Sequence, residues 1–309
     1  MAGSAGSAHL GDGVAGRYPQ GGFLVVDKEA GWTSHDVVAR CRRLLGERRV
    51  GHAGTLDPDA TGVLLVGFGR ATRLLRFTSA RSKSYVGEVV LGRATTTLDS
   101  SGEVVGEWDM AAVTLDEVRE KAVMLTGEIM QVPPMVSALK VGGRRLHELA
   151  REGVEVERRP RRVCVERFEV LGPLAGAPGV FLVEVECSAG TYVRSLAADL
   201  GALLGGGAHL RNLRRTAVGS FGVEEAHRIG ELSLEHVLSP AEALRDMEMV
   251  RVGPEVDARV RHGLALDGAS LGATGEGPCA LVDADGALLA VYEPARDGRM
   301  RAAVVLAGA

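Results

Sequence analysis

Aromatic residues are scarce in this chain of 309 residues, at 4% of the total. The core must therefore be built mainly from Val, Leu and Ala. Four cysteines occur, and they are far apart: Cys41, Cys164, Cys187 and Cys279. Because no C-x-x-C pair is present, the cysteines predict neither a zinc site nor a disulfide framework. Their best interpretation is as buried free thiols in a reducing cytoplasm.

Long apolar runs and a basic net charge are also missing. No run reaches the roughly 18 residues of a membrane span, and the first residues lack the pattern of a signal peptide. Both absences predict a cytoplasmic protein with no membrane partner. The formal net charge is −4, so any binding to nucleic acid would have to depend on local clusters of Lys and Arg.

The periodic segments and turn residues predict two domains after a disordered leader. Residues 1–22 are rich in Gly, Ala and Ser without periodicity, which is typical of disorder. Residues 23–246 mix strands and helices without a regular βαβ rhythm. This predicts an α+β domain with a mixed, largely antiparallel sheet flanked by helices. Residues 247–309 have the pattern of short strands with Gly-rich turns, which predicts a small β domain.

Capping residues and periodicity predict several local elements. Ser34 is expected to cap a helix, and Tyr85–Leu91 has the alternation of a strand with one buried face. Thr114 begins a capping box at the start of another helix. Thr191 is expected to cap a further helix, and Arg194 lies off the apolar stripe of that helix, in its first turn.

The segment GHAGTLDPDATG, residues 51–62, is the clearest candidate for chemistry. Its glycines allow the close approach of a ligand, and Pro58 biases Asp57 toward an extended conformation. A carboxylate on such a loop, with His52 and many arginines nearby, suits a catalytic role. From spacing alone a simple turn is the better interpretation of Asp57, because Asp is common in turns.

Several blocks, in order along the chain, resemble the TruB-type pseudouridine synthases. The loop at 51–62 resembles their catalytic signature. The other matching blocks are KSY at 83–85, GRATTTLD at 92–99, QVPPMVSALK at 131–140, CSAGTYVR at 187–194, GAHL at 207–210 and LRR at 213–215. Ordered blocks over residues 23–221 are far more specific than a single motif. The residues after 247 resemble the small PUA-like domains that follow such catalytic domains.

The resemblance implies an isomerase that converts a uridine in the T-loop of tRNA, at position 55, into pseudouridine after flipping the base out of the loop. It implies Asp57 as the catalytic carboxylate, Arg194 as the cation that keeps it ionised, and Tyr85 as the residue that stacks on the base. Contacts with the substrate nucleotide are implied for His52, Tyr192 and Leu213. The carboxylate could attack the base or the sugar, or remove a sugar proton.

The reaction requires no cofactor or metal, and none is predicted. The Lys and Arg residues from 140 to 162 predict a surface for T-arm phosphates, with a solvated charged face as the alternative for any one of them. Contacts with the RNA backbone are predicted for Lys140, Arg144, Arg145, Arg158 and Arg159. The expected partner is the T-arm of tRNA, and the protein is expected to act as a monomer.

Three alternatives remain at this level. The first is the guide-RNA-dependent branch of the same superfamily, against which the short leader and the absence of Lys-rich tails argue. The second is a non-catalytic RNA-binding module or tRNA-folding chaperone, against which the set Asp57, Tyr85 and Arg194 argues. The third is a hydrolase of glycosidic bonds, for which Asp59 and Asp99 are the near candidates for a second carboxylate.

Overall fold

The computed structural model describes residues 14, 16–137, 139–273 and 277–307. By compactness the chain divides into two units, one formed by Met1–Arg81 with Ala217–Ala309 and the other by Ser82–Thr216. The first unit takes in the residues after 247, because Phe23 and Leu74 share an apolar cluster with Val282 and Val304. The domain division at residue 247 stays a prediction.

Strands and helices alternate irregularly along the chain. The strands are β1 Gly22–Lys28, β2 Val50–Ala53, β3 Thr61–Phe68, β4 Lys83–Leu91, β5 Arg93–Thr95, β6 Val104–Glu107, β7 Gly127–Gln131, β8 Lys140–Val141, β9 Arg144–Arg145, β10 Arg161–Pro173, β11 Val180–Cys187, β12 Ala208–Val218, β13 Phe221–Gly222, β14 Glu248–Arg251, β15 Leu266–Asp267, β16 Cys279–Val282, β17 Leu288–Pro294 and β18 Arg299–Val305. The helices are α1 Ser34–Leu45, α2 Leu75–Ser79, α3 Leu115–Val123, α4 Leu146–Arg151, α5 Val193–Leu203, α6 Pro254–Arg261 and α7 Gly268–Leu271. None of the described helices is long and apolar enough to cross a membrane.

The first unit is built around β3, which pairs antiparallel with β1 and with β2. Helix α1 follows β1, and its cap is Thr33 rather than the predicted Ser34. Thr33 forms a capping box with Asp36, whereas Ser34 is buried and bonds elsewhere. Gly46 ends α1 in the left-handed conformation, with φ of 62°, which glycine adopts without strain.

A second sheet in the first unit has the strand order β14-β16-β17-β18-β15. Strands β14 and β16 are parallel, and the other neighbouring pairs are antiparallel. The short strands predicted after residue 247 are therefore confirmed, with α6 added between β14 and β15. Tyr292 is fully buried in this sheet and donates its hydroxyl to the carbonyl oxygen of Leu264, at 2.9 Å.

The second unit contains a sheet in the order β12-β4-β11-β10-β7, in which β4 and β11, β11 and β10, and β10 and β7 pair antiparallel. Strand β4 alternates buried and partly buried residues along its length, as its sequence predicts. The capping box at Thr114 is present at the start of α3, which packs on β10 and α5. The α+β class with a largely antiparallel sheet is confirmed.

Two residues of the predicted leader pack against the rest of the first unit. Val14 is buried, and the hydroxyl of Tyr18 donates to the carbonyl oxygen of Leu234 at 3.1 Å. These two residues supply apolar surface to the cluster around α1, which the Gly-rich composition conceals. Residues 1–13 and 15 of the predicted leader lie outside the described residues.

Candidate active site

The backbone that carries Asp57 is held on its N-terminal side by Ser34. The amide of Leu56 donates to Ser34 Oγ at 2.9 Å, and Ser34 Oγ donates back to the carbonyl oxygen of Leu56 at 3.1 Å. Both Ser34 and Leu56 are buried. A reciprocal pair of buried hydrogen bonds fixes the loop to the first turn of α1, because breaking it would leave polar groups unsatisfied.

On the C-terminal side of Asp57 the loop is held by Lys28. Its side chain is fully buried, and Nζ donates to the carbonyl oxygens of Pro58 at 2.9 Å, Trp32 at 2.6 Å and Glu29 at 3.0 Å. The three donors of a lysine ammonium match these three acceptors. The amide of Gly31 donates to the same oxygen of Pro58 at 3.0 Å. The residues on both sides of Asp57 are therefore fixed through main-chain atoms.

Asp57 itself is partly buried, and its carbonyl oxygen accepts a hydrogen bond from the amide of Ala60 at 3.1 Å. The turn interpretation of Asp57 is thus confirmed for its backbone, and it does not conflict with a chemical role for the side chain. The sequence predicts His52 in the loop, but this residue lies in β2, opposite Val66. The His52 ring meets the His35 ring edge-on, with centroids 5.5 Å apart.

Arg194 lies in the first turn of α5 in the second unit. It is 5% exposed, although the sequence places it off the apolar stripe. Its Nη1 donates to the carbonyl oxygen of Thr97 at 2.9 Å, and its Nη2 donates to that of Val136 at 2.8 Å. A buried guanidinium is tolerated where carbonyls and carboxylates surround it, because burying a charge is costly otherwise.

Asp99 is the carboxylate beside this guanidinium, with Oδ2 3.4 Å from Nη1 of Arg194. Its Oδ1 accepts hydrogen bonds from Thr97 Oγ1 at 2.6 Å, from the amide of Ser101 at 3.0 Å and from Ser101 Oγ at 2.5 Å. These hydrogen bonds fix Oδ1 of Asp99, and Oδ2 faces the guanidinium of Arg194. The sequence does not indicate this pair, because there Asp99 is only a candidate for the second carboxylate of a hydrolase.

Tyr85 and Leu213 lie on neighbouring strands of the second unit. Tyr85 is 8% exposed on β4, on the face that also carries Gly87. A Cβ at Gly87 would come within 3.3 Å of Leu213 Cδ1, so the glycine makes room for the leucine on β12. The arrangement places Leu213 over the part of β4 that lies next to Tyr85.

Tyr192 is the N-cap of α5, and the predicted cap at Thr191 is wrong. The hydroxyl of Thr191 lies 3.4 Å from that of Ser188, and the helix begins one residue later. The side chain of Tyr192 makes no capping hydrogen bond. The main-chain amide of Tyr192 donates to Gln131 Oε1 at 2.8 Å, and its carbonyl oxygen accepts from Gln131 Nε2 at 3.1 Å. The partner of the α5 N-terminus is thus on β7.

The predicted phosphate-binding residues differ in their surroundings. Arg144 forms an exposed ion pair with Glu152, and Arg158 donates to the carbonyl oxygen of Pro133 at 3.0 Å. Arg159 is exposed. The side chains of Lys140 and Arg145 lie outside the described residues.

The two units thus each hold part of the predicted set. Asp57 and His52 belong to the first unit, and Arg194, Tyr85, Tyr192 and Leu213 belong to the second. The predicted ion pair between Asp57 and Arg194 stays a prediction. Within the described ranges no group of three or more His, Cys, Asp or Glu residues is arranged to hold a metal ion.

Solved structures of related fold carry the same architecture. A Cbf5-Nop10-Gar1 complex contains a chain that is 27% identical, with a TM-score of 0.74, and the match covers 95% of this chain and 87% of that one. An H/ACA RNP bound to a substrate RNA containing 2′-deoxyuridine contains a chain that is 25% identical, with a TM-score of 0.69 over 93% of this chain and 86% of the other.

Sequence relatives are closer. A tRNA pseudouridine synthase B of Mycobacterium sp. (strain KMS) is 47% identical over 93% of this chain and 96% of its own length. The enzyme of that name from Thermobifida fusca is 47% identical over 93% of this chain and 99% of its own. The one from Rhodococcus jostii is 56% identical over 69% of this chain and 71% of its own.

Two family models match adjacent parts of the chain. The N-terminal domain of the TruB family pseudouridylate synthases matches residues 42–193, which include the Asp57 loop and Tyr85. The C-terminal domain of tRNA pseudouridylate synthase B matches residues 194–248. With relatives 47% identical over nearly the whole chain, the protein belongs to the TruB family of tRNA pseudouridine synthases, isomerases that convert uridine in tRNA to pseudouridine.

Proposed function

We propose that this enzyme acts on the uridine at position 55 in the T-loop of tRNA, and that the carboxylate of Asp57 carries the reaction. The observation that carries the proposal is the loop geometry: Leu56 and Pro58 are anchored by Ser34 and Lys28, so the residue between them is held in a fixed place. A catalytic group must be preorganised in this way, since a misplacement of about 1 Å can cost on the order of a hundredfold in rate.

The isomerisation breaks the bond between C1′ and N1, rotates the uracil and forms a bond between C1′ and C5. N1 gains a proton and C5 loses one, so the reaction is balanced without a redox partner. An anionic carboxylate close to the sugar and base can assist by attack or by proton removal. Asp57 is the residue that the family resemblance assigns to this role.

Arg194 is proposed as the cation that keeps Asp57 ionised. A carboxyl that is desolvated by a bound nucleotide tends to take up a proton unless an opposite charge lies nearby. Arg194 is suited to this role because it is always charged, is buried, and is fixed by the carbonyl oxygens of Thr97 and Val136.

The T-loop uridine must leave its stack before its C1′ can meet Asp57. Tyr85 is proposed to stack on the flipped base, because aromatic rings bind extruded bases by their π faces. Three further residues are proposed to contact the nucleotide or its surroundings: His52, Tyr192 and Leu213. The T-arm phosphates are proposed to lie along Arg144, Arg158 and Arg159, with Lys140 and Arg145 in the same stretch.

The stand-alone tRNA enzyme is favoured over a guide-RNA-dependent one. The three tRNA pseudouridine synthase B relatives described above are 47–56% identical to this chain, whereas the chains in the two solved complexes are 25–27% identical. We therefore expect a monomer that modifies a T-arm without further components. A cytoplasmic location is part of this proposal, because that is where its proposed tRNA substrate would be processed.

The test is pseudouridine formation in a synthetic T-arm stem-loop by the wild type, Asp57→Asn and Asp59→Asn. Asp59 is the matched control, since it is an exposed Asp in the same loop. We expect robust activity from the wild type and Asp59→Asn, and essentially none from Asp57→Asn with RNA affinity retained. Comparable rates for Asp57→Asn and the wild type would remove Asp57 from its role. Activity confined to RNAs without a T-loop would reject the substrate.

A further inference from the structure

Side-chain hydrogen bonds join the end of β7 and the residues after it to the first turn of α5. The amide group of Gln131 makes two of these bonds, as donor to the carbonyl oxygen of Tyr192 and as acceptor from its amide. Ser195 Oγ donates to the carbonyl oxygen of Val132 at 3.0 Å. Arg194 Nη2 donates to the carbonyl oxygen of Val136. The residues before and after Arg194 are therefore tied to one segment, residues 131–136.

Gln131 is an unusual residue for its position. It is 2% exposed, at the end of the edge strand β7, where an apolar side chain would fill the same space. Burying a side-chain amide is costly unless its donors and acceptor are used. Here the side-chain amide forms one donated and one accepted hydrogen bond with the main chain of Tyr192, as a neighbouring strand would. It also supplies a partner at the N-terminus of α5, because the side chain of the N-cap residue Tyr192 makes no capping hydrogen bond.

We propose that Gln131 is a positioning residue for the isomerisation: its amide holds the N-terminus of α5 so that Arg194 keeps its place. The inference rests on the role proposed above for Arg194. Ser195 assists from the other side of Arg194. Gln131 does not touch the substrate; it acts through the backbone at Tyr192, two residues before the guanidinium it positions.

The decisive feature is the hydrogen bond that Gln131 Nε2 donates to the carbonyl oxygen of Tyr192. Gln131→Glu keeps the shape of the side chain, but an ionised carboxylate cannot donate and would face that carbonyl oxygen with a negative charge. A protonated carboxyl can donate and accept as the amide does. Burial raises the pKa of a carboxyl above its ordinary value of about 4.3, which moves its protonation toward the pH range in which the enzyme is assayed.

The experiment measures single-turnover rates on a T-arm stem-loop at saturating enzyme, from about pH 5 to pH 8.5. The quantity of interest is the rate of Gln131→Glu divided by that of the wild type at the same pH. We expect this ratio to be on the order of one tenth or lower at the alkaline end and to rise toward one at the acidic end. Gln131→Met, which fills the site but forms neither bond, is expected to show a loss that does not change with pH.

Met130→Glu is the matched control. Met130 is the preceding residue of β7 and is 64% exposed. It pairs in register with Arg162, just as Gln131 pairs with Arg161, so the new carboxyl has an equivalent neighbour. We expect its rate to follow that of the wild type at every pH, because no bond to α5 is lost.

Each outcome decides between the possibilities. A ratio near one for Gln131→Glu at every pH, or a loss that does not vary with pH, overturns the role of the amide. If Gln131→Glu does not unfold cooperatively, Ser195→Ala carries the test. A several-fold lower rate with unchanged RNA affinity then supports the positioning of Arg194, and a wild-type rate overturns it.

Arg194→Ala separates the two proposals: if it is inactive while Gln131→Glu follows the wild type, the role of Gln131 fails alone. If Arg194→Ala keeps the wild-type rate, the role of Arg194 fails first.

Discussion

Asp99 and Arg194 form an ion pair in which the carboxylate is held more firmly than the distance of 3.4 Å suggests. One oxygen of Asp99 is fixed by Thr97 and Ser101, and the other faces the guanidinium. The same guanidinium donates to the carbonyl oxygen of Thr97, so the loop around Asp99 meets Arg194 at two points. The position of the cation therefore depends on a turn almost a hundred residues before it.

Asp99→Asn should lower the rate of isomerisation by about tenfold or more at saturating RNA, with a smaller change in RNA affinity. The asparagine keeps an acceptor for Ser101 but removes the charge that faces Arg194, so the guanidinium is held less firmly. Single-turnover kinetics and a binding assay with the T-arm measure the two effects. Glu103→Gln, an exposed change in the same loop, should behave as the wild type. Equal rates for both variants would show that Asp99 does not position Arg194.

Lys28→Met should destabilise the first unit and slow the reaction together. Hydrogen bonds to charged groups contribute about 1.5–3 kcal/mol each, and the substitution leaves the carbonyl oxygens of Pro58, Trp32 and Glu29 without this donor. We expect the free energy of unfolding to fall by about 3 kcal/mol, measured by urea unfolding. Lys121→Met serves as the control, because Lys121 forms a pair with its neighbour Glu120 near the surface. An unchanged unfolding midpoint for Lys28→Met would contradict the anchoring role.

His236 should make the protein less stable in mild acid. Burial lowers the pKa of His236, and the charge of His227, whose ring stacks on it at 3.7 Å, lowers it further. A histidine with a lowered folded-state pKa stabilises the fold fully above the unfolded-state pKa of about 6.5, and this contribution is lost as the pH falls through the folded-state value. The unfolding temperature should therefore fall more between pH 7.5 and pH 5.5 in the wild type than in His236→Asn.

Asparagine at this position can still accept the hydrogen bond that the amide of Ser233 donates to Nδ1 of His236, at 3.1 Å. The comparison thus isolates the titration from the contact. His262→Asn, at the exposed C-terminal end of α6, should keep the pH dependence of the wild type. If His236→Asn loses stability in acid as strongly as the wild type, the histidine pair does not control it.

Arg159→Ala should weaken T-arm binding modestly and lower the slope of log K against log salt by about one. Arg159 is exposed, so its guanidinium can reach a phosphate without first leaving a buried contact. Arg167→Ala provides a control, since Arg167 is engaged with Glu169 and Glu184 on the β10–β11 pair. A salt slope that is identical in Arg159→Ala and the wild type would take Arg159 out of the RNA-binding surface.

Local patterns predicted the elements whose causes are local. The box at Thr114 and the alternation of β4 depend on residues a few positions apart, and both are present. Ser34 shows where this reasoning ends. It is a good capping residue by type, but Leu56 takes its hydroxyl, and Thr33 caps the helix instead.

The supporting residues of the site could not be predicted, because each depends on a partner that is distant in sequence. Lys28 reaches Pro58, Gln131 reaches Tyr192, and Asp99 reaches Arg194. One signal was available for Lys28: it ends a strand that contains an apolar run at residues 23–26, and a buried ammonium requires several acceptors. Gln131 and Asp99 carry no comparable mark, since polar residues at the end of a strand or in a turn are common.

The anchoring of the Asp57 loop has a consequence for how the site can change. Ser34 and Lys28 donate to the carbonyl oxygens of Leu56 and Pro58. Every amino acid has such a main-chain carbonyl, so these two bonds do not depend on the side chains of the loop. The conformation of the loop is thus held on both sides of Asp57 through main-chain atoms. A substitution at residue 57 leaves these hydrogen bonds in place, so an inactive variant should still fold and could capture its RNA substrate without converting it.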